Sequence, residues 1–392
     1  MFGTRLAISL VTLSVAATAA VWPLSEGAAG EPAAEGAWRG KLLEMTGEED
    51  GPVKVWGPDG KPVLDPYYAF DRKGLALLTR DYGMRLEGGV FSGGATEDYL
   101  GAALKNAAGE LTVSARIEPA SAGGADSAGC IIGYGPPKGG LLFALMQEKD
   151  ALTFRISPSG GEPVKVELCK LKDAAPFHLT VAVSKEAVVF YRDGKKASGH
   201  PGIKGDFSDW VNGIPFFGND REGKMPWRGQ VELVALYNRA LTADEAAKAA
   251  AAVLEEVGKR PAVERIELEG TLLSRPEKYP MPWTEGFTYT EVLAVADYKV
   301  DRVISGKFDE DRIYVAEWMY VDRIFLEGSR KAAGSKHRLV VELYEVNPQI
   351  SRTERAELPG RDLERDLFYS LSPITALPAD RQPKPGKDGA GK

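Results

Sequence analysis

The sequence predicts an all-β protein, with an antiparallel sandwich followed by one capped α-helix and a second, small OB-like β-barrel. Short segments of alternating apolar and polar residues recur between residues 66 and 237, without intervening helical patterns. The 44 glycines and 25 prolines favour many turns between such strands. Beyond a single Ala-rich segment, four or five longer strands fall within about 110 residues, which suits a small curled barrel better than two sheets.

The composition is that of a folded globular protein. Hydrophobic residues make up 44% of the 392 positions and charged residues 27%, which excludes global disorder. The 56 acidic residues outnumber 49 basic ones and give a net charge of −7. Such a chain lacks the basic surface that binds phosphate backbones, so the sequence predicts no nucleic-acid partner.

Residues 1–20 have the pattern of a signal peptide. A short segment with Arg5 precedes the apolar stretch Leu6–Val15, and Ala17-Thr18-Ala19 has the A-x-A form of a cleavage site. The alternative is an uncleaved anchor, because the apolar stretch extends to about Trp22. Either way, we expect an exported protein that is periplasmic, envelope-associated or secreted, with membrane contact only through an uncleaved signal segment.

Residues 21–62 are predicted to form a linker with a hairpin. Ser25–Gly36 is rich in Ala, Gly and Glu, a composition typical of a solvated linker. Pro52–Val63 predicts the hairpin, with its turn at Gly57-Pro58-Asp59-Gly60.

The first large domain, residues 63–258, is predicted to consist of strands closed by a helix. Period-two alternation is clearest in the segment with Phe177, Leu179, Val181 and Val183. Arg192-Asp193-Gly194-Lys195 contains Asp-Gly, the strongest short signal for a β-hairpin turn.

The closing helix is predicted over Ala243–Val257. Thr242 and Glu245 form a capping-box pattern at its start, while Gly258 is a plausible stop and Pro261 marks the boundary.

Residues 262–372 predict the barrel, in which Val292–Val303 is a long strand. Residues 373–392 are rich in Pro, Lys, Gly and Asp and predict a disordered tail.

The two cysteines, Cys130 and Cys169, each lie in a predicted strand. Export permits a disulfide, but bridging needs Cα atoms within about 7 Å and therefore adjacent or facing strands. Two buried free thiols are the other state compatible with the sequence.

Five motifs in order, between about residues 65 and 250, resemble the laminin-G-like, concanavalin A-like family of jelly-roll domains. Tyr67-Tyr68-Ala69-Phe70-Asp71 is similar to the family's opening strand. Met84-Arg85-Leu86-Glu87-Gly88, followed by Asp98-Tyr99-Leu100, resembles the family's next pair of motifs. The later motifs are Leu111–Pro119, Phe177–Ala182 with Tyr191–Lys195, and Trp227–Glu232 continuing to Leu241. Strand and turn residues establish a fold and not a function.

The resemblance implies a ligand-binding or adhesive module, often for carbohydrate and sometimes with calcium at the rim. The candidate ligand-binding residues are Trp210, Asn219, Asp220 and Trp227, and the candidate calcium ligands are Asn219, Asp220 and Glu222. Aromatic faces would stack on sugars, and carboxylate and amide oxygens suit calcium. Packing in the core competes for both tryptophans, and an ordinary turn competes for Asn219 and Asp220.

No catalytic residue is predicted, because the sequence lacks G-x-S-x-G, H-E-x-x-H, C-x-x-C and the P-loop pattern. His178 alternates with Phe177 and Leu179, so we expect it on the polar, solvent-facing side of its strand. The predicted function is non-catalytic recognition of a glycan or of another exported protein. The alternatives are a glycan hydrolase or lyase using carboxylates from different strands, and a purely structural spacer.

Overall fold

Two antiparallel sheets face each other in the first part of the chain. The structure is a computed structural model that describes residues 41–45, 53–55, 70–93, 97–123, 128–136, 140–210, 213–283 and 289–383. The first sheet contains β1 Lys41–Met45, β2 Val53–Val55, β4 Ala76–Leu78, β5 Met84–Glu87, β7 Leu111–Pro119, β12 Phe177–Val183, β13 Ala187–Arg192, β14 Lys195–Pro201 and β16 Arg228–Tyr237. Its main order is β14-β13-β12-β7-β16-β1-β2, with β5 also paired to β16 and β4 to β5.

The second sheet contains β3 Phe70–Lys73, β6 Val90–Gly93, β8 Gly129–Gly135, β9 Phe143–Glu148, β10 Ala151–Ile156, β11 Val164–Lys170 and β15 Ile214–Phe217. Their order in the sheet is β11-β10-β9-β8-β15-β6-β3. Alternate side chains from both sheets, such as Val113, Leu179 and Phe154, are fully buried between them. This arrangement confirms the predicted antiparallel sandwich.

A helix interrupts the predicted run of strands. Asp98-Tyr99-Leu100, expected in a strand, belongs to α1, Glu97–Lys105. Leu100 and Leu104 are both 0% exposed, and their spacing of four residues places them on one helical face toward the core. The strand expectation was wrong because this apolar spacing is helical.

Part of the predicted linker is a piece of the first sheet. Strand β1 pairs antiparallel with β16 on one side and with β2 on the other. The hairpin therefore joins β1 to β2, and the predicted turn at Gly57-Pro58-Asp59-Gly60 lies outside the described residues, as do residues 1–40.

Helix α2, Ala243–Lys259, begins as predicted and ends later than predicted. Thr242 Oγ1 accepts a hydrogen bond from the Glu245 amide, and the Glu245 carboxylate accepts one from the Thr242 amide. Gly258 lies inside the helix and does not end it. The last helical residue is Lys259, and Arg260 after it is extended. Pro261 explains this end, because a proline disfavours the helical conformation in the residue before it.

Helix α2 packs on the outward face of the first sheet. Ala246 is fully buried against Ala182 and Tyr191. The β13–β14 turn passes close below the helix, since a Cβ on Gly194 would lie 2.9 Å from the Ala247 Cα. Asp193 and Gly194 both have positive φ, as the predicted Asp-Gly hairpin turn requires.

The two cysteines are free thiols. Cys130 lies on β8 and Cys169 on β11, with β9 and β10 between them in the same sheet. Three strand spacings of about 4.8 Å exceed the reach of a disulfide. Burial raises the pKa of the Cys130 thiol to about 12, whereas Cys169 is only partly buried.

The C-terminal strands close into the predicted small barrel. The elements here are β17 Ile266–Ser274, β18 Val292–Ser305, β19 Arg312–Val321, β20 Ile324–Phe325, β21 Lys336–Leu343, β22 Arg355–Ala356 and β23 Leu367–Ser370, with single 3-10 turns at Glu327–Arg330, Tyr344–Val346, Pro348–Ile350 and Ala379–Arg381. Five strands form a closed ring in the order β17-β18-β19-β23-β21, and β19 and β23 are parallel. This order is that of an OB-like barrel.

The barrel contacts the sandwich through its β18–β19–β23 side. Leu75 and Leu77 of the sandwich pack in one apolar cluster with Leu293, Trp318 and Tyr369 of the barrel. This is the strand face that many OB folds use for ligands. In this protein, that face is covered by the sandwich.

The predicted disordered tail is wrong for residues 373–383. Leu377 is 6% exposed and packs in a cluster with Phe325. The Gln382 side chain accepts a hydrogen bond from the Phe325 amide at 2.9 Å and donates one to the Leu377 carbonyl at 2.7 Å. Residues 373–383 are therefore ordered by contacts with the barrel, despite their Pro-rich composition. Residues 384–392 lie outside the described part of the chain.

Among the described residues, the structure contains no helix that is long and apolar enough to span a membrane.

Candidate functional site

A groove of about 420 Å³ lies on the outward face of the second sheet. Its floor comes from Ala144 and Met146 on β9, both 1% exposed, and its sides include Leu141, Val164 and Met225. The cross-strand pairs Ala144–Arg155 and Arg155–Lys165 place small, apolar and cationic side chains side by side on this face. Among the described residues that line the groove, none is aromatic and none is acidic.

Two cations lie at one side of the groove. The side chains of Arg155 and Lys165 are 47% and 46% exposed, and both form ion pairs with Glu148 on β9. Partial burial opposes ionisation of Glu148, but hydrogen bonds and charge from Lys165 and Arg155 outweigh it and lower the pKa of that carboxyl. Two positive charges share one carboxylate, so this rim has an excess of positive charge.

The loop between β15 and β16 supplies the wall of the groove at Met225. Asn219 is 3% exposed; its side-chain amide donates to the Gly88 carbonyl at 2.8 Å, and its Oδ1 accepts from the Met225 amide at 2.9 Å. The Met225 carbonyl in turn accepts from the Cys130 amide at 2.9 Å. Asn219 therefore fixes the backbone on which Met225 lies.

Asp220 stabilises the same loop. Its Oδ1 accepts a hydrogen bond from the Lys224 amide at 2.6 Å, and its backbone carbonyl accepts from the Gly223 amide at 3.1 Å. The side chain of Glu222 is 56% exposed and forms an ion pair with Lys224. Within the described residues, no three His, Cys, Asp or Glu side chains come together as a metal site.

The two tryptophans that the sequence singled out are core residues in the structure. Trp210 is 1% exposed, stacks on Phe207 at 4.1 Å between ring centroids, and donates its indole N–H to the Ser157 carbonyl. Trp227 is 4% exposed and donates its indole N–H to Gln147 Oε1 at 2.8 Å. Neither ring presents an open face on which a sugar would stack.

The expectation that His178 faces solvent was wrong. His178 is 1% exposed, because its face of the first sheet is covered, and its Nε2 lies 2.9 Å from Ser114 Oγ. Burial lowers the pKa of the imidazole to about 4, against a smaller opposing effect of the Asp193 charge. Asp193 accepts a hydrogen bond from the backbone amide of His178, and the ring Nδ1 has no hydrogen-bond partner among the described residues.

The Ser114–His178 pair has the spacing of a nucleophile and its base, but it is not built like a catalytic site. Within the described part of the chain, no third group bonds to Nδ1 to orient the imidazole. Ser114 is 3% exposed, so the hydroxyl is closed to a substrate. The pair is a buried polar contact of the sheet.

The barrel interior carries a second polar cluster. Tyr298 is 0% exposed and donates its hydroxyl to Glu317 at 2.8 Å, and Lys331 donates to both. Burial, followed by the charge of Glu317, raises the pKa of the Tyr298 phenol. The charges of Glu317 and Lys331 are satisfied within the cluster, which is the usual requirement for burial of such groups.

The groove itself was missed in the sequence. Its floor residues follow the same alternation as core residues, and periodicity cannot distinguish two apolar faces of one strand. The available signal was Ala144 and Met146, small or apolar residues at positions where an exposed strand face would carry polar ones.

Comparison with known proteins supports the fold. Residues 93–247 match the family model of the concanavalin A-like lectin/glucanases superfamily, which covers less than half of the chain. That match confirms the resemblance to laminin-G-like, concanavalin A-like jelly-roll domains over the larger part of the sandwich. No curated protein matches the sequence.

Among solved structures, the chain is similar to the binding domain of botulinum neurotoxin serotype D/C, at 9% identity and a TM-score of 0.41, with 85% of this chain and 78% of that chain covered. It is also similar to a sialidase of Trypanosoma rangeli, at 16% identity and a TM-score of 0.39, with 56% and 34% covered. Likeness at this level carries no argument about ligand or chemistry.

Proposed function

We propose that this protein is an exported, non-catalytic recognition module that binds a glycan or another exported protein. The observation that carries the proposal is the groove beside Met146 and Met225. A concave, mostly apolar site with a few charged groups at its rim is the usual form of a binding site. The two candidate tryptophans are buried, and Asn219 and Asp220 already bond within their own loop, which supports the groove and not these four residues as the ligand contact.

The arrangement of charges supports recognition over catalysis. Glycoside cleavage uses two carboxyl groups on either side of the scissile bond, one of them with a raised pKa. Glu148 pairs with the two cations of the groove, and Lys165 and Arg155 lower the pKa of its carboxyl. A carboxyl held ionised in this way is poorly suited to act as a general acid.

The test measures binding and turnover together on the purified protein. A panel of polysaccharides and of candidate exported proteins is assayed for binding, and the polysaccharides also for release of reducing or unsaturated ends. We expect saturable binding without product release, and weaker binding by Met225→Ala. Product release that one carboxylate substitution abolishes would establish an enzyme instead, whereas silence in every assay would favour a structural spacer.

Export is tested separately from binding. Amino-terminal sequencing of the protein recovered from its native host is expected to show a mature chain that begins just after Ala19 or Ala20. A retained Met1 with the protein in the membrane fraction would support the uncleaved anchor.

A further inference from the structure

We propose that the groove binds an extended peptide segment of a partner protein, in which an aliphatic side chain lies next to an acidic one. This inference rests on the proposed function and decides between its two ligand classes. It follows from the groove lining, the rim charge and the position of one groove wall on an edge strand.

The lining of the groove favours aliphatic groups over sugars. Aromatic platforms and several hydrogen-bonding side chains suit a sugar, but the described lining has no aromatic residue and one hydroxyl, that of Ser157. Apart from the two cations, its other members are apolar: Leu141, Ala144, Met146, Ile156, Pro163, Val164 and Met225. Methionine side chains are unbranched and polarizable, so they adapt to aliphatic side chains of different shapes. Met225 is partly exposed and can contact a ligand directly.

The rim selects a negative charge. Arg155 and Lys165 are cross-strand partners and are about half exposed, and they share the single carboxylate of Glu148. An aspartate or glutamate placed beside the aliphatic side chain would complete this group of charges. A lysine at that place would be repelled.

The position of the groove favours a peptide strand. Strand β11, which supplies Val164 and Lys165, is the last strand of its sheet and pairs with β10 on one side. Toward the other end of β11, the edge is partly occupied, because Ser198 Oγ on β14 donates a hydrogen bond to the Leu168 carbonyl at 2.8 Å. The end of β11 that carries Val164 and Lys165 therefore offers a strand edge at one wall of the groove. In strand addition the backbone supplies affinity and neighbouring pockets receive alternate side chains.

The experiment uses the purified full chain and three short, fluorescently labelled peptides of equal length. The first alternates Leu with Asp, the second replaces Asp by Lys, and the third replaces Leu by Ser. Fluorescence anisotropy is recorded at low and high salt. We expect the first peptide to bind at least about tenfold more tightly than either of the others, and its affinity to fall with salt.

The decisive variants are matched on one strand. Lys165→Glu reverses a charge at the groove, whereas Lys170→Glu reverses one at the far end of β11, where the side chain is 53% exposed and pairs with Asp150. We expect Lys165→Glu to weaken the first peptide by roughly five- to tenfold and Lys170→Glu by less than about twofold. Thermal melts show whether each variant is folded.

Each result decides the proposal. Equal losses in Lys165→Glu and Lys170→Glu would overturn it, as would equal binding of the acidic and basic peptides. Displacement of the peptide by decanoate at the same concentration would identify a small aliphatic acid as the occupant. If no peptide binds but an oligosaccharide does, and Met225→Ala weakens it, the peptide inference fails and the recognition function stands. If neither binds, both fail.

Discussion

The two outward faces of the sandwich show how differently one chain covers two similar surfaces. On the first sheet, His178, Thr180 and Ala182 point outward from β12, yet none is more than 3% exposed. Helix α2 packs Ala246 against Ala182 and Tyr191 on this face. On the second sheet, the outward residues Ala144 and Met146 are just as buried, at 1% exposed, but they form the floor of a groove whose walls include the partly exposed Met225, Arg155 and Lys165.

The difference reverses what polarity alone suggests. The face with a histidine, a serine and a threonine is closed, and these groups bond to each other instead of to a ligand. The face with methionine and alanine is the one that carries a groove. A polar residue on a strand face therefore does not identify a site unless the next element of the chain leaves it uncovered.

The largest expected effect comes from lifting helix α2 off the first sheet. Gly194→Ala would place a Cβ 2.9 Å from the Ala247 Cα at a φ of +75°, so we expect a loss of about 2–4 kcal/mol in the free energy of unfolding. Chemical denaturation measures the loss.

The control for that variant is Gly160→Ala in the second sheet's β10–β11 loop. Gly160 has a φ of +66°, but its added Cβ would meet no described heavy atom within 4 Å. We expect only the conformational cost, about 1–2 kcal/mol. Equal losses in the two variants would show that α2 does not press on Gly194.

The next effect concerns the buried imidazole of His178. The pKa of His178 is lowered to about 4 in the folded protein, below its ordinary value of 6.5. The neutral imidazole therefore stabilises the fold above about pH 6.5, and this contribution is lost as the pH falls from 6.5 toward 4. The full difference is on the order of 3 kcal/mol.

Unfolding free energies between pH 7 and pH 4 test this prediction. We expect His178→Gln, which keeps a side-chain donor near Ser114 Oγ, to lose less stability than the parent protein over that range. Identical pH profiles would mean that His178 is not the group that titrates.

The smallest expected effects on the free energy of unfolding concern the loop with Asn219 and Glu222, and they test whether Asn219 has a structural role in its turn. Asn219→Ala would leave the Gly88 carbonyl and the Met225 amide without their partner, for a loss of about 2 kcal/mol. Glu222→Ala, at an exposed side chain, should stay within about 0.5 kcal/mol of the parent.

Calcium binding stays a prediction that the same melts can test. Because Asn219 and Asp220 already accept backbone hydrogen bonds, we expect the loss in Asn219→Ala to be the same in millimolar calcium and in chelator. A calcium-dependent rise in the parent melting temperature that Asp220→Ala abolishes would establish a metal site.

The sequence by itself determined the local elements of this protein. Alternation in Phe177–Val183, the Asp193-Gly194 turn and the Thr242 capping box each depend on neighbouring residues alone, and each is present in the structure. The sandwich and the small barrel followed from the number and spacing of such strands.

Only the tertiary structure decided which faces are covered. Whether His178 is buried depends on the elements that pack over β12, and whether Met146 faces a groove depends on the loop that Asn219 holds. The burial of Trp210 likewise depends on Tyr134, Phe143 and Ser157, which lie far from it in the sequence. Exposure is a property of contacts between distant segments, and alternation along one strand distinguishes its two faces without showing what covers either.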